Sequence, residues 1–451
     1  MKKLFSTLLI ALIAMAMVTA QTVTISNELL TEPMISVGGD SYANGKWWGY
    51  KNGTSLRDEV VGEGITADGR ARVKGRIRFD VNFTDPTINA SLLTPKPRIS
   101  WGSAADALDG NRSAVAAILK PTNYLEIGLG NLHDVGYAFS VGSNPSACAW
   151  TDPITTRWNV IPGLAGQWQN ANELVSDGIY VAFTGVDNLK IGVGLRSADT
   201  NFGTMVKKSV FKGPAAAVTY THEKFDVGAK VAADFGGINA ANETDKAYRE
   251  YQAYAAFAYK GLQEAKVGTT LHAGAGVYTN NASTLLGKPK TTTFLLDLGS
   301  DFNFRNGISD SLNVSVGYGK IDGVDRKTLP FAVKNILAYT VQDAKFAVET
   351  VYAQTSFNKR TKDLKTNESF NGIIGAPLQD GGINVNYDSL IAVNPSFQLT
   401  QGAHTFKVGV NTAIYNDLIA HEKTASEWRW TGVKGVRADV SFPISWKYNF
   451  L

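Results

Sequence analysis

Hydrophobic and polar residues alternate with a period of two along long stretches of the chain. From 436 to 450 the even positions read Val436, Ala438, Val440, Phe442, Ile444, Trp446, Tyr448 and Phe450. The odd positions read Arg437, Asp439, Ser441, Pro443, Ser445, Lys447 and Asn449. Successive side chains on a strand point to opposite faces, so this segment has one apolar face with aromatic residues at its end and one polar face. It is also longer than a typical strand of a soluble domain. Val73, Ile77, Phe79, Val81 and Phe83 repeat the pattern against Arg72, Lys74, Arg76, Arg78, Asp80 and Asn82. Leu189-Ile191-Val193-Leu195, Phe225-Val227-Ala229-Val231, Leu312-Val314-Val316 and Phe406-Val408-Val410 repeat it again. None of these stretches has the i, i+3, i+4 spacing of an amphipathic helix.

Read this way, the chain predicts strands over 70–84, 112–119, 123–130, 178–186, 188–196, 215–221, 224–235, 249–259, 264–278, 291–304, 311–319, 331–340, 344–357, 384–399, 404–416 and 436–450. Tight joins such as Lys120-Pro121-Thr122, Asp187, His222-Glu223, Gly261 and Val341-Gln342-Asp343 alternate with long polar or Gly-rich ones, the longest at 131–177. A soluble sandwich has no reason to keep that order, whereas a membrane barrel places short turns at one rim and long loops at the other. The expectation is an all-β fold: a transmembrane antiparallel up-and-down β-barrel over 70–451 with about 16 strands. Residues 21–69, with Trp47, Trp48 and Gly38-Gly39-Asp40, supply either a further hairpin, which raises the count to 18, or a plug.

Lys2 and Lys3, the apolar run Leu4 to Val18 and the small residues of Val18-Thr19-Ala20 have the form of an export signal over 1–20. After it no apolar run approaches the roughly 20 residues of a membrane helix. Removing Lys2 and Lys3 takes the basic residues from 44 to 42 against 40 acidic ones. So small an excess gives no case for nucleic acid as a partner. The single cysteine, Cys148, precludes an internal disulfide. A mean hydropathy of −0.10 and 44 glycines fit strands that are apolar on one face only.

The last strand, ending Trp446-Lys447-Tyr448-Asn449-Phe450-Leu451, together with the export signal and the run of alternating strands, resembles the outer-membrane porins of diderm bacteria. Those porins usually end on a terminal aromatic residue, where this chain has Phe450 in the penultimate position. The hairpin Ala116-Ala117-Ile118-Leu119-Lys120-Pro121 with Leu125-Glu126-Ile127-Gly128-Leu129-Gly130 is loosely similar to one in spirochaete porin-like barrels. The resemblance implies a bacterial outer-membrane location and passive diffusion of small hydrophilic solutes and ions through a water-filled lumen, often in a homotrimer. It also implies recognition of the last strand by the barrel-assembly machinery, contact with outer-membrane lipid and no cofactor.

The polar parity of each strand is expected to face the lumen. It nominates Arg72, Lys74, Arg76, Arg78, Lys190, Arg196, Lys230 and Arg437 as pore-lining, with Lys224, Lys407 and Lys434 inward or at the rim. Glu126, Asp226, Asp234 and Asp297 stand among the counter-charges. The basic excess suggests a mild preference for anions; the bland reading is solvated lumen residues neutralised by neighbouring strands. The 131–177 connection carries Tyr137, Phe139, Trp150, Trp158 and Trp168, too aromatic for disorder. Folded into the barrel it would narrow the pore, with Asp134, Asp152 and Arg157 lining the constriction; otherwise it is a surface or interface loop. Trp428, Trp430, Trp446, Tyr448 and Phe450 suit an interfacial girdle.

The five histidines are scattered, with neither metal-site spacing nor a nucleophile elbow, so the sequence predicts neither a metal site nor an enzyme. A diffusion porin is the leading reading. The alternatives are a surface antigen or adhesin acting through loops 358–383 and 417–435, and a hydrophobic-solute transporter with a plug from 21–69.

Overall fold

The computed structural model describes residues 21–38, 48–82, 98–101, 114–142, 172–197, 211–234, 249–281, 290–321, 327–328, 331–354, 378–380, 383–386, 389–416, 419–423, 428–432 and 436–450. The barrel strands are β1 (Gln21–Gly38), β2 (Trp48–Ile65), β3 (Ala71–Asn82), β4 (Ala114–Thr122), β5 (Leu125–Asn131) and β6 (Asp177–Val186). They continue as β7 (Leu189–Ser197), β8 (Phe211–Thr221), β9 (Phe225–Asp234), β10 (Glu250–Leu262), β11 (Gly268–Asn280) and β12 (Thr291–Asn303). The last six are β13 (Ile308–Ile321), β14 (Phe331–Val341), β15 (Ala344–Gln354), β16 (Ser389–Gln401), β17 (His404–Gly409 continued as Asn411–Asn416) and β18 (Val436–Ser441 continued as Ile444–Asn449).

Each strand pairs antiparallel with the next, and β1 pairs with β18, Ser26 opposite Asn449 and Leu30 opposite Ser445. The barrel is therefore closed, with 18 strands. Residues 21–38 and 48–65 build wall, so of the two expectations for this segment the hairpin is the one found and the plug is not. The short turns hold the strained residues: Asn188, Arg305 and Gln342 have positive φ (66, 59 and 50°). A tight antiparallel turn needs that backbone, and Asn tolerates it best after Gly. The expected join at Gly261 moves outward, because β10 runs on to Leu262 and the chain turns through 263–267.

The barrel is apolar outside and polar inside. Outward residues such as Val193, Val231, Ile77 and Phe346 are 50–59% exposed, while inward Ser315, Glu349 and Asn394 are at most 2% exposed. Burying polar residues and exposing β-branched and aromatic ones is stable only where the outside solvent is hydrocarbon. At the short-turn rim His404, Phe406, Trp446, Tyr448 and Phe450 pack together with centroids 4.6–6.1 Å apart, where amphipathic rings suit the headgroup level. Trp428 and Trp430 do not join this girdle. Their strand, Trp428–Gly432, belongs to a separate four-stranded sheet with Leu378–Asp380, Ile383–Asn386 and Ile419–Lys423, built from the two loops after β15 and β17.

Candidate functional site

The connection after β5 turns into the lumen. Its two described limbs, 132–142 and 172–176, are zipped together by Leu174 N donating to Phe139 O (2.8 Å) and Val141 N to Asn172 O (2.7 Å). His133 Nδ1 lies 2.6 Å from Glu173 Oε1, and Ser176 Oγ donates to Glu173 Oε2 at 2.7 Å. Leu132, Val135, Phe139, Val141, Leu174 and Val175 are all buried, packed on the inward side chains of β4 to β10. Each such burial contributes about 1.5–3 kcal/mol before the entropy of ordering the loop is subtracted.

Small residues make room for this layer. Ala114 and Ala116 (β4), Ala182 (β6), Ala215 and Ala217 (β8), Ala232 (β9) and Ala256 (β10) are buried in the same cluster. A Cβ on Gly192 would lie 2.7 Å from the Phe139 ring and 2.8 Å from Leu174, and one on Gly228 only 2.2 Å from Val141 O. Tyr180 lies flat across Gly128 in the same way. It meets Phe139 edge-on at 6.2 Å and donates to Glu126 at 2.7 Å.

Charged pairs pin the loop to the wall and the wall to itself. Arg76 donates through Nη1 to Asp134 O and through Nη2 to Asp134 Oδ1, both at 3.0 Å. Tyr137 Oη donates to Glu63 Oε1 at 2.6 Å, and Arg72 Nη2 reaches the same oxygen at 2.9 Å. The Arg72 guanidinium and the Lys74 ammonium stand 5.6 and 5.9 Å from the Tyr137 ring centre, within cation–π range. Burial, reinforced by the bond to Glu63, pushes the Tyr137 phenol well above its ordinary value, so it is a donor at every physiological pH. The hydrogen bond to Glu173, reinforced by the nearby carboxylates of Asp134 and Asp177, raises the His133 pKa against the opposing effect of burial.

The residues expected to line the pore divide into two groups. Arg72, Arg76, Lys190 and Arg196 face inward and each meets a carboxylate: Glu63, Asp134, Glu126 (2.6 Å) and Asp234 (3.2 Å). Lys74 lies opposite Glu63 in register and Arg78 opposite Glu59. Lys230 is almost wholly buried under the loop, in register with Ala217 and Tyr254. Arg437 is placed by its backbone between Gly38 and Tyr415. Asp152, Arg157 and Lys434 lie outside the described residues. Sequence reasoning missed Glu63, Glu173 and His133 as parts of the loop anchorage. The one available signal was the crowding of His133, Asp134, Glu173 and Asp177 at the two ends of a single connection.

No protein-family model matches the chain, and no curated protein matches it in sequence. Among solved structures the barrel is similar to OccAB3 of Acinetobacter baumannii, with 9% identity, 95% of this chain and 99% of that one covered and a TM-score of 0.49. It is similar to an anion-selective porin from Comamonas acidovorans, with 11% identity, 96% and 100% covered and a TM-score of 0.46. It is also similar to OmpT, an outer membrane protein of Vibrio cholerae, with 10% identity, 95% and 98% covered and a TM-score of 0.45.

Proposed function

We propose that this chain is an outer-membrane porin that lets small hydrophilic solutes and ions diffuse passively, with a mild preference for anions. The observation that carries the reading is the docked loop. A closed barrel, apolar outside and polar inside, holds a segment of one connection against its inner wall, and such a segment narrows a passage without sealing it. Arg76, Asp134 and the Glu63–Tyr137–Arg72 cluster then stand where the loop meets the lumen and set the local field. The mild anion preference is supported by Lys74, which has no ion pair among the described residues, while Arg72, Arg76, Lys190 and Arg196 are neutralised. In this reading residues 1–20 direct export, lipid covers the outer band and the last strand is the mark read by the assembly machinery.

Planar-bilayer recording of the refolded barrel tests the proposal. Stable ohmic steps with a reversal potential displaced modestly toward the anion are expected in a KCl gradient. Silence from protein that migrates as a folded, heat-modifiable barrel would overturn it.

A further inference from the structure

On the half of the inner wall away from the loop, β15, β16 and β17 bring two lysines together. Lys345 lies directly opposite Gln398, and Gln398 directly opposite Lys407, so the three side chains form one inward row across three adjacent strands. Neighbouring strands are about 4.8 Å apart, which separates the two lysine backbones by about 10 Å. Flexible four-carbon stems can bring both ammonium groups onto an ion held between them. A pocket of about 100 Å³ opens there, where Lys345, Glu349, Ser396, Gln398 and Lys407 line it beside the apolar Ile336, Ala347 and Phe397.

Arg72, Arg76, Lys190, Arg196 and Lys260 each have a carboxylate within 3.2 Å. Among the described residues neither Lys345 nor Lys407 has an ion pair, although both line a concave site. The polar groups between them are donors with capacity to spare. Gln398 Nε2 donates to Thr400 Oγ1 at 3.3 Å and keeps a second N–H. Ser396 Oγ reaches Ala347 O only at 3.5 Å, a marginal bond that the hydroxyl can give up for a better acceptor. Glu349, bound by Asn394 Nδ2 at 2.9 Å, closes the pocket on the side toward mid-barrel and repels an anion from travelling deeper.

We infer that Lys345 and Lys407, with Gln398 and Ser396 between them, form a binding site for a compact oxyanion of the phosphate or carboxylate kind, facing the lumen near the short-turn rim. The inference rests on the diffusion-pore reading. Two ammonium groups without acidic partners, held on a rigid sheet with neutral donors between them, bind such an ion through charge-assisted hydrogen bonds. An anion resting there and leaving again gives a saturable step at one end of the pore.

Isothermal calorimetry of inorganic phosphate with the detergent-solubilised, folded barrel tests the site without requiring conduction. Failure of the site is thus distinct from failure of the pore, which bilayer silence reports. Saturable binding is expected in the wild type. It should weaken about tenfold or more in Lys345→Gln/Lys407→Gln, be largely kept in Lys345→Arg/Lys407→Arg, and be unchanged in Lys266→Gln at an exposed turn. If the double variant does not migrate as a folded barrel, Lys345→Gln alone, at a largely exposed side chain, should still weaken binding severalfold. No saturable heat in the wild type, or equal binding by wild type and the glutamine variants, would overturn the site.

Discussion

The inner wall of this barrel has two unlike halves. From β4 to β10 many inward positions are alanine or glycine, set among Glu126, Tyr180, Lys190 and Lys230, and the loop lies on them as a second layer. From β12 round to β1 the buried residues include Asp297, Ser315, Asn313, Lys334, Glu349, Asn394, Asn411, Ser441 and Glu32, polar residues interspersed with Ala332, Ala353 and Ala392. Asn394 donates to Glu349, while Asn411 and Ser441 donate to Glu32 at 3.1 and 2.7 Å. The first half has traded side-chain volume for a docked segment. The second pairs many of its polar groups across adjacent strands, while Asp297 Oδ2 and Asn411 Oδ1 are buried without a hydrogen-bond partner among the described residues. A lumen wall thus needs something to cover its backbone, and a chain can supply it either as side chains or as an in-folded loop.

The strongest way to break this difference is to fill the small-residue floor. Gly228→Leu should expel the loop, because a Cβ there already collides with Val141 O, and single-channel conductance should rise about twofold or more. Thr405→Leu, the same bulk on the uncovered half, should leave conductance at or slightly below wild type. Phe139→Ala should cost about 3–5 kcal/mol of loop docking. It should make the loop cleavable by protease in detergent while the barrel's heat-modifiable mobility stays the same.

Arg76→Glu sharpens the electrostatic side by placing a second carboxylate beside Asp134. The anion-to-cation permeability ratio should fall about two- to threefold, and an unchanged ratio would deny the loop contact any role in selectivity. The smallest effect is expected from pH. His133 has a raised pKa, so its bond to Glu173 stabilises the loop fully below about 6.5, the ordinary histidine value, and loses that contribution as pH rises through the higher folded value. The pair is partly exposed and therefore screened, so it contributes about 1 kcal/mol or less. Current noise should rise on passing from pH 6 to pH 9 in the wild type, and His133→Gln should remove that dependence.

Much of the wall was legible because its physics is periodic. Alternation located β3 to β18 within a few residues, and the contrast of turn and loop lengths announced a barrel. The first two strands were harder to read because Leu29-Leu30 and Val60-Val61 put apolar residues on both faces, and the pairing of β1 slips between Thr31 and Pro33. Parity also placed Arg72, Arg76 and Lys190 on the inner face but could say nothing of their partners. Glu63, Asp134 and Glu126 reach them across strands or from a loop 58 residues away in the case of Asp134. A charge count along one strand misses what the next one brings, so the individual pairs could not be read from the sequence. Lys345 escaped notice because its meaning lies in Lys407, two strands over.

The seam between β1 and β18 has a consequence for how the molecule comes together. Its contacts, Ser445 Oγ to Glu28 Oε1 at 3.0 Å and Ser441 Oγ to Glu32 Oε1, join residues about 400 apart in the chain. Every other neighbour in the wall can pair as soon as the next strand exists, whereas this one must wait for nearly the whole polypeptide. Until then β1 offers an unpaired edge of 18 residues, an open template for any extended chain. The hydroxyl–carboxylate ladder inside the seam selects a register in which Ser441 and Ser445 meet Glu32 and Glu28. A slip of one residue would turn both acids toward lipid. The final step of assembly thus carries its own proofreading, written in two glutamates and two serines.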